Sequence, residues 1–234
     1  MAQPLTSTQL LGLDDSHLQA LPCGNRLQSE AGQAFAALAE RARGAGFELA
    51  VASSFRGFDR QLAIWNGKAC GERTVHDDAG QPVDLSQLAP AEQLRAILRF
   101  SALPGASRHH WGTDLDVFDA AVMPEGYRLQ LSPQEVAPGG MFDALHRWLD
   151  EQIAAGQAEG FYRPYGEDRG GVAPERWHLS YAPLAQGCAA QLDEQVLRDA
   201  WDSCGETLLL RREVEASLPD ILARYVFAVE SAAR

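Results

Sequence analysis

Ser107-Arg108-His109-His110-Trp111-Gly112-Thr113-Asp114-Leu115-Asp116-Val117-Phe118-Asp119 is the stretch on which the reading of this chain turns. From Asp114 onward it alternates like a strand, with Leu115 and Val117 on one side and Asp114, Asp116 and Phe118 on the other. One side suits a core. The other presents carboxylates, and two adjacent imidazoles stand just upstream. A loop marked by Gly and Pro, Leu103-Pro104-Gly105-Ala106, delivers the segment. Further on, Pro174-Glu175-Arg176-Trp177-His178-Leu179-Ser180-Tyr181 alternates again and adds a histidine with a glutamate three residues before it.

Around these two stretches the pattern mixes helices and strands. Phe35, Leu38, Ala39 and Ala42 recur at helical spacing and predict a helix over 29–43, ended by Gly44 and Gly46. Phe47, Leu49 and Val51 share one face of a strand over 47–52, and Ser53-Ser54-Phe55-Arg56-Gly57 turns into a short helix through Gln61, Leu62 and Trp65. Residues 68–88 are polar and turn-rich, as in an exposed excursion. Pro90 opens a helix with Leu94, Ile97 and Leu98 as its buried stripe. Residues 123–140 read as loop with a short strand near 127–131, followed by an amphipathic helix through Phe142, Leu145, Trp148, Leu149 and Ile153. The rest is helical, with a last segment starting near Ser217-Leu218-Pro219 and burying Ile221, Leu222, Tyr225, Val226 and Val229. Without a regular βαβ rhythm, the fold class is α+β, helices packed against a small sheet. No repeat or linker divides the chain, so one domain spans 1–234, its core over about 29–185 and a C-terminal helical extension over about 190–234.

Composition narrows the function. Of 234 residues 46% are apolar, enough for one substantial core. A formal charge of −12 with no basic run excludes nucleic acid as the main partner. No stretch approaches the ~20 apolar residues of a membrane span, and the N-terminus lacks a charged region followed by an apolar one, so a cytoplasmic location is expected. Cys23, Cys70, Cys188 and Cys204 stand apart and read as reduced thiols.

The chemistry lies in imidazoles and carboxylates. His109, Asp116 and His178 offer two nitrogens and an oxygen, the three protein ligands of a catalytic zinc with one open position. Glu175 is the candidate base for a water that such an ion acidifies. His110 competes with His109 as ligand, with a substrate contact or a place behind the ligands as its other roles. His17, His76 and His146 read as structural.

These residues match a known family. Ser107-Arg-His109-His-Trp-Gly112-Thr-Asp-Leu-Asp116 resembles the SxHxxGxAxD motif of the VanY-type zinc D-alanyl-D-alanine carboxypeptidases, and Glu175-Arg-Trp177-His178 resembles their ExWH motif. Ser54-Phe55-Arg56-Gly57-Phe58-Asp59-Arg60-Gln61 is similar to their SxYRSYxxQ segment. The resemblance covers about 47–182. It implies zinc on His109, Asp116 and His178, with Glu175 as catalytic base. It implies Arg56 at the oxyanion or the peptide, and Ser107 and Gln61 bonded to substrate. The implied fold is a DD-carboxypeptidase/hedgehog-like α+β domain with a small central antiparallel sheet carrying the metal site. The motif register favours His109 over His110.

Two departures stand out: Asp114 replaces the usual Ala, and Phe55 and Gly57 replace Tyr and Ser. On a strand Asp114 shares the face of Asp116, as a partner to a ligand histidine, a substrate contact or a competing ligand. In a regular strand Glu175 and His178 would face opposite sides, so Glu175 must occupy a turn or bulge before the strand. The implied activity is release of C-terminal D-alanine from peptidoglycan stem peptides. LD-cleavage of tetrapeptides is favoured over DD-cleavage because cytosolic recycling typically trims that way. The alternatives are an endolysin-like endopeptidase, a D-Ala-D-Ala dipeptidase and a zinc-binding module without turnover. The expected partner is a peptidoglycan-derived peptide, with the oligomeric state open.

Overall fold

A computed structural model describes residues 4–230. The first three residues of the N-terminal reading and the last four of the C-terminal extension lie outside that range. The chain opens with a one-turn helix α1 (Ser7–Leu10) and a hairpin of β1 (Leu18–Ala20) and β2 (Arg26–Gln28), which runs into α2 (Ser29–Gly44). Then come β3 (Leu49–Ser53), α3 (Phe58–Ala69), a small hairpin of β4 (Val75–His76) and β5 (Pro82–Val83), and α4 (Pro90–Leu98). β6 (Asp114–Asp119), the short α5 (Pro133–Val136), α6 (Asp143–Ala154), β7 (Phe161–Tyr162) and β8 (His178–Tyr181) follow. Helices α7 (Ala182–Ala189), α8 (Glu194–Ser203) and α9 (Arg211–Ile221) end the chain.

Four strands form the central sheet in the order β3-β6-β8-β7, every neighbour antiparallel. Alternation divides it into two faces. Leu115, Val117 and Leu179 face one way and pack against Phe35, Leu38 and Ala42 of α2 and Leu145 and Leu149 of α6. The opposite face holds Asp114, Asp116, His178 and Ser180, all buried. The α+β expectation therefore stands, with a small antiparallel sheet and helices against it.

A second core joins α3 and α4 to the C-terminal helices through Phe58, Leu62, Trp65, Ile97, Trp201 and Leu218. Its tryptophans do more than fill space. Trp201 Nε1 donates to the Pro104 carbonyl at 2.9 Å and Trp65 Nε1 to the Leu209 carbonyl at 3.0 Å. The C-terminal helices thus brace the loop that delivers the 107–119 stretch. No helix among the described residues is long and apolar enough to cross a membrane. The four cysteines are all free thiols.

Three local expectations change. Residues 68–88 are no loose excursion: Val75 and Leu85 are buried in the second core, and β4 and β5 pair between them. The short strand near 127–131 is absent; that segment is irregular backbone tied down by Glu135, which accepts from Tyr127 Oη at 2.7 Å and from the Gln130 and Ser132 amides. The last helix begins at Arg211 rather than near Ser217, with Pro219 inside it. Proline removes one helical donor, and the chain widens into a π-turn over Leu222–Phe227 directly afterwards.

Two buried histidines should make the metal-free fold less stable in acid. His110 donates from Nδ1 to the Arg56 carbonyl at 2.6 Å and accepts at Nε2 from the Gly105 amide at 3.1 Å. Burial holds its imidazolium down, to about 3, and burial with Arg163 nearby holds His146 down to about 2. Both fall below the ordinary 6.5, so the unfolded chain takes up protons that the folded chain refuses. The contribution is present above about pH 6.5 and is lost as pH falls toward the folded values. Each site costs up to about 1.4 kcal/mol per pH unit. The urea midpoint of the metal-free protein should fall steadily between about pH 6.5 and 4.5, and a flat profile there would contradict the assignment.

Candidate active site

Strand register brings the ligand candidates together. Asp116 lies opposite His178 on β8 and opposite Ser53 on β3, where a bulge between Val51 and Ser53 shifts the pairing. His109 sits one turn upstream, in a 3-10 turn over Arg108–Trp111. That turn closes at Gly112, whose φ of 68° suits glycine and where a Cβ would fall 2.2 Å from Leu18. The chain folds back there, so a residue seven positions before Asp116 faces it.

The result is a tight buried trio. His109 Nε2 lies 3.5 Å from Asp116 Oδ2, and His178 Nδ1 lies 3.3 Å from Asp116 Oδ1. One ligand atom from each residue falls within 4.8 Å of the others. The far nitrogen of each imidazole is occupied. His109 Nδ1 contacts the Ser54 carbonyl at 2.8 Å, which requires a proton there, and His178 Nε2 contacts Asp114 Oδ1 at 2.9 Å. Both rings are thereby turned with their free nitrogen toward Asp116. Asp116 Oδ1 has no hydrogen-bond partner among the described residues. Two imidazole nitrogens and an unpartnered carboxylate oxygen suit zinc, which would displace the proton that Asp114 and Asp116 favour on His178 against its burial, with a fourth position left for water or substrate.

Glu175 meets the backbone demand made of it. The His178 amide donates to the Glu175 carbonyl at 3.0 Å, closing a turn over 175–178, and the Glu175 amide donates to the Tyr165 carbonyl at 2.9 Å. That turn puts the Glu175 carboxylate beside the trio, Oε2 3.6 Å from His178 Nδ1. Burial pushes its carboxyl up to about 7 in the metal-free protein, with Asp116 adding to the push and His178 opposing it.

Other expected residues fall into distinct places. Ser107 lines the cleft, its buried hydroxyl without a partner among the described residues. Arg56 also lines the cleft, donating from Nη1 to Gln61 Oε1 at 2.8 Å. Gln61 departs from its expected place against substrate. It is fully buried behind Arg56, and its Nε2 donates to the Ala102 carbonyl at 2.7 Å, so it holds the guanidinium. His110 faces away, both nitrogens spent on backbone. Asp114 resolves to the partner of a candidate ligand histidine, His178, and Arg108 explains how it tolerates burial. Arg108 donates from Nε to Asp114 at 2.8 Å and from Nη2 to Ser180 Oγ at 2.6 Å and Tyr162 Oη at 3.0 Å. Burial alone would raise the Asp114 carboxyl, but Arg108 and His178 override it and hold the group well below the usual range.

The trio lies in a cleft of about 510 Å³ whose walls come from unexpected segments. The tip of the β4–β5 hairpin forms one side with His76, Asp77, Gly80 and Gln81. It meets the 130–134 loop so closely that a Cβ on Gly80 would lie 2.9 Å from Gln134 Nε2. Arg99 ties this hairpin to the glycine-rich loop: it pairs with Asp78 at 2.7 Å and Asp168 at 2.6 Å and donates to the Gly171 carbonyl at 2.9 Å. Sequence reasoning missed Tyr165 and Lys68, which both line the cleft. For Tyr165 nothing local flagged it. For Lys68 a signal existed: of 20 basic residues it is the one lysine, every other being arginine.

The model of the VanY D-alanyl-D-alanine carboxypeptidase family matches residues 24–184. Two uncharacterized proteins of Haemophilus influenzae are similar in sequence. One is 50% identical over 103 residues, 42% of this chain and 70% of that protein. The other is 36% identical over 126 residues, 53% of this chain and 92% of that protein. Among solved structures, VanYB in complex with D-alanine-D-alanine is similar at 21% identity and a TM-score of 0.52, over 81% of this chain and 90% of that one. The vancomycin resistance D,D-pentapeptidase VanY from a VanB-type cassette, in complex with Zn(II), is similar at 21% identity and a TM-score of 0.51, over 90% and 93%. These structural likenesses concern the fold.

Proposed function

The chain belongs to the VanY D-alanyl-D-alanine carboxypeptidase family, a family of peptidoglycan-cutting metallohydrolases, and from that premise we propose that it releases the C-terminal D-alanine of peptidoglycan stem peptides. The reading rests on one convergence: His109, Asp116 and His178 within 4.8 Å of one another, with Glu175 3.6 Å from His178 in the same cleft. His109, Asp116 and His178 would hold zinc, which would supply Lewis-acid polarisation of the scissile carbonyl and acidification of a water. Glu175 takes the water proton as the oxygen attacks the carbonyl carbon, and returns it to the departing nitrogen as the C–N bond breaks. Arg56, fixed by Gln61, holds the chain-end carboxylate in a planar fork, and the free Ser107 hydroxyl donates to the peptide.

Within this activity we favour LD-cleavage of tetrapeptides over DD-cleavage of pentapeptides, in line with a cytoplasmic recycling role. Incubation of the zinc-loaded protein with purified tetrapeptide and pentapeptide muropeptides, read by mass spectrometry, should show loss of one D-alanine, abolished by a chelator and restored by zinc. Peptides left intact, or cut inside the stem with D-alanine still attached, would overturn the reading.

The arginine–glutamine pair carries its own expectation. Arg56→Ala should lower kcat/KM by about 100-fold, the scale for a buried charged contact to substrate. Gln61→Ala should lower it by only about 10-fold, by letting the guanidinium wander. Because Gln61 acts through Arg56, the double variant should be no slower than Arg56→Ala. Multiplicative losses in steady-state kinetics would place Gln61 against substrate instead.

A further inference from the structure

Between β7 and β8 the chain runs from 163 to 177 without helix or strand, and Glu175 stands in that stretch. Gly166, Gly170 and Gly171 make its first half costly to order, because glycine loses more freedom on fixing than any other residue. A proton carrier on such a segment is only as well placed as the bonds that hold it.

Besides the Tyr165 carbonyl under the Glu175 amide, two arginines hold it. Downstream, Arg176 donates to the Val136 carbonyl at 2.6 Å and pairs with Asp143 at 3.1 Å and Asp150 at 2.7 Å. Upstream, Arg99 at the end of α4 grips the loop with side chain and backbone together. Its guanidinium donates to Asp168 from Nη1 at 3.1 Å and from Nη2 at 2.6 Å, and to the Gly171 carbonyl at 2.9 Å. Its own carbonyl accepts from the Ala173 amide at 2.9 Å, two residues before Glu175. The loop is seated from below as well, since a Cβ on Gly171 would overlap the Arg224 carbonyl. The guanidinium also takes Asp78 of the β4–β5 hairpin in a two-pronged pair, at 2.7 and 2.8 Å. Exposed ion pairs contribute little singly, but this side chain is only 19% exposed and joins two carboxylates and a carbonyl in fixed directions.

We propose that Arg99 is a positioning residue for the base. By fixing the glycine-rich loop it sets where the Glu175 carboxylate stands beside the trio, and so governs proton transfer rather than substrate or metal binding. A displacement of about 1 Å at a reacting group can cost ~100-fold in rate. The inference rests on the carboxypeptidase reading and adds to it a residue of α4 that lies outside the cleft lining.

Asp168→Asn tests it with the fold kept. The side chain is 49% exposed, and the asparagine oxygen still accepts from the Gly170 amide while its NH2 faces the Arg99 donors. The kcat for D-alanine release from a tetrapeptide muropeptide should fall about 10-fold, with KM and zinc affinity near the parent values. Arg99→Met should fall at least as far. Asp78→Asn, which frees only the hairpin, should keep kcat within about 2-fold. The decisive arm is the Glu175→Gln background, where Asp168→Asn should cost nothing further because the group it positions is already gone. Equal losses in both backgrounds would make the loop merely structural and overturn the proposal, as would a parent-like kcat in Asp168→Asn.

Amide hydrogen exchange of the metal-free protein separates this inference from the reading beneath it. In Asp168→Asn the Ala173 and Glu175 amides should exchange about 10-fold faster than in the parent, and those of β6 at the parent rate. If no peptide loses D-alanine, the carboxypeptidase reading fails, while this measurement still decides whether Arg99 holds the Glu175 turn. Unaltered exchange at both amides rejects it.

Discussion

Glu175→Ala should lose at least ~100-fold in kcat while binding zinc as tightly as the parent, as expected for removal of a positioned proton carrier. The two effects separate because of where the side chain stands. Glu175 is held by a turn rather than by the sheet, and its carboxylate lies beside the trio without belonging to it. Removing it leaves His109, Asp116 and His178 with their own supports, the Ser54 carbonyl and the Asp114 carboxylate. Glu175→Gln keeps the shape and removes only the proton chemistry, so it should be nearly as slow. Zinc content by competition with a chromophoric chelator, read beside turnover, checks both halves. A variant that keeps near-normal turnover would remove Glu175 from the reaction. One that loses zinc with its activity would make it a ligand.

The second large effect belongs to Asp114. Replacing it with Ala strands Arg108, whose side chain is 2% exposed, without its carboxylate, and leaves His178 Nε2 without a partner. Breaking one side of a buried pair costs about 3–5 kcal/mol, and losing the group behind a metal-binding histidine typically costs 10–100-fold in metal affinity. Urea unfolding of the metal-free protein and a zinc competition assay should show both losses. The double variant Arg108→Met/Asp114→Ala distinguishes them. With the stranded charge gone, stability should largely return, whereas zinc affinity should remain weak because His178 is still unsupported. A double variant restored in both would mean that Asp114 serves Arg108 alone. Unchanged stability in Asp114→Ala would contradict the buried pair itself.

Much of the architecture was legible in short-range pattern. The alternation of Leu115 and Val117 against Asp114 and Asp116 is the two-faced sheet in miniature, and the stripes of α2, α4 and α6 are buried where their spacing places them. Even the break before His178 was a local deduction, since a period of two cannot bring Glu175 and His178 to one side. Polar segments misled for a physical reason. Residues 68–88 contain few apolar side chains, yet Val75 and Leu85 suffice to dock a hairpin on the core, and Arg99 ties its tip through charges that hydropathy reads as solvent-facing. The strand expected near 127–131 failed because its polar groups turned to Glu135 instead of to a neighbouring strand.

Read alone, the amino-acid order determined the α+β class, the buried stripes, and the two imidazoles, carboxylate and neighbouring glutamate that make a metal centre thinkable. These are matters of residue type and of spacing along one strand or helix, which the backbone's periods of two and 3.6 convert directly into faces. Tertiary structure alone decided that Gln61 stands behind Arg56, that His110 serves the backbone, that Asp114 is at once the partner of Arg108 and the support of His178, and that Lys68 lines the cleft. Each of those depends on which group lies across from it. Antiparallel register and packed loops set such partners between residues up to 64 positions apart, as with His178 and Asp114, and no local period encodes them.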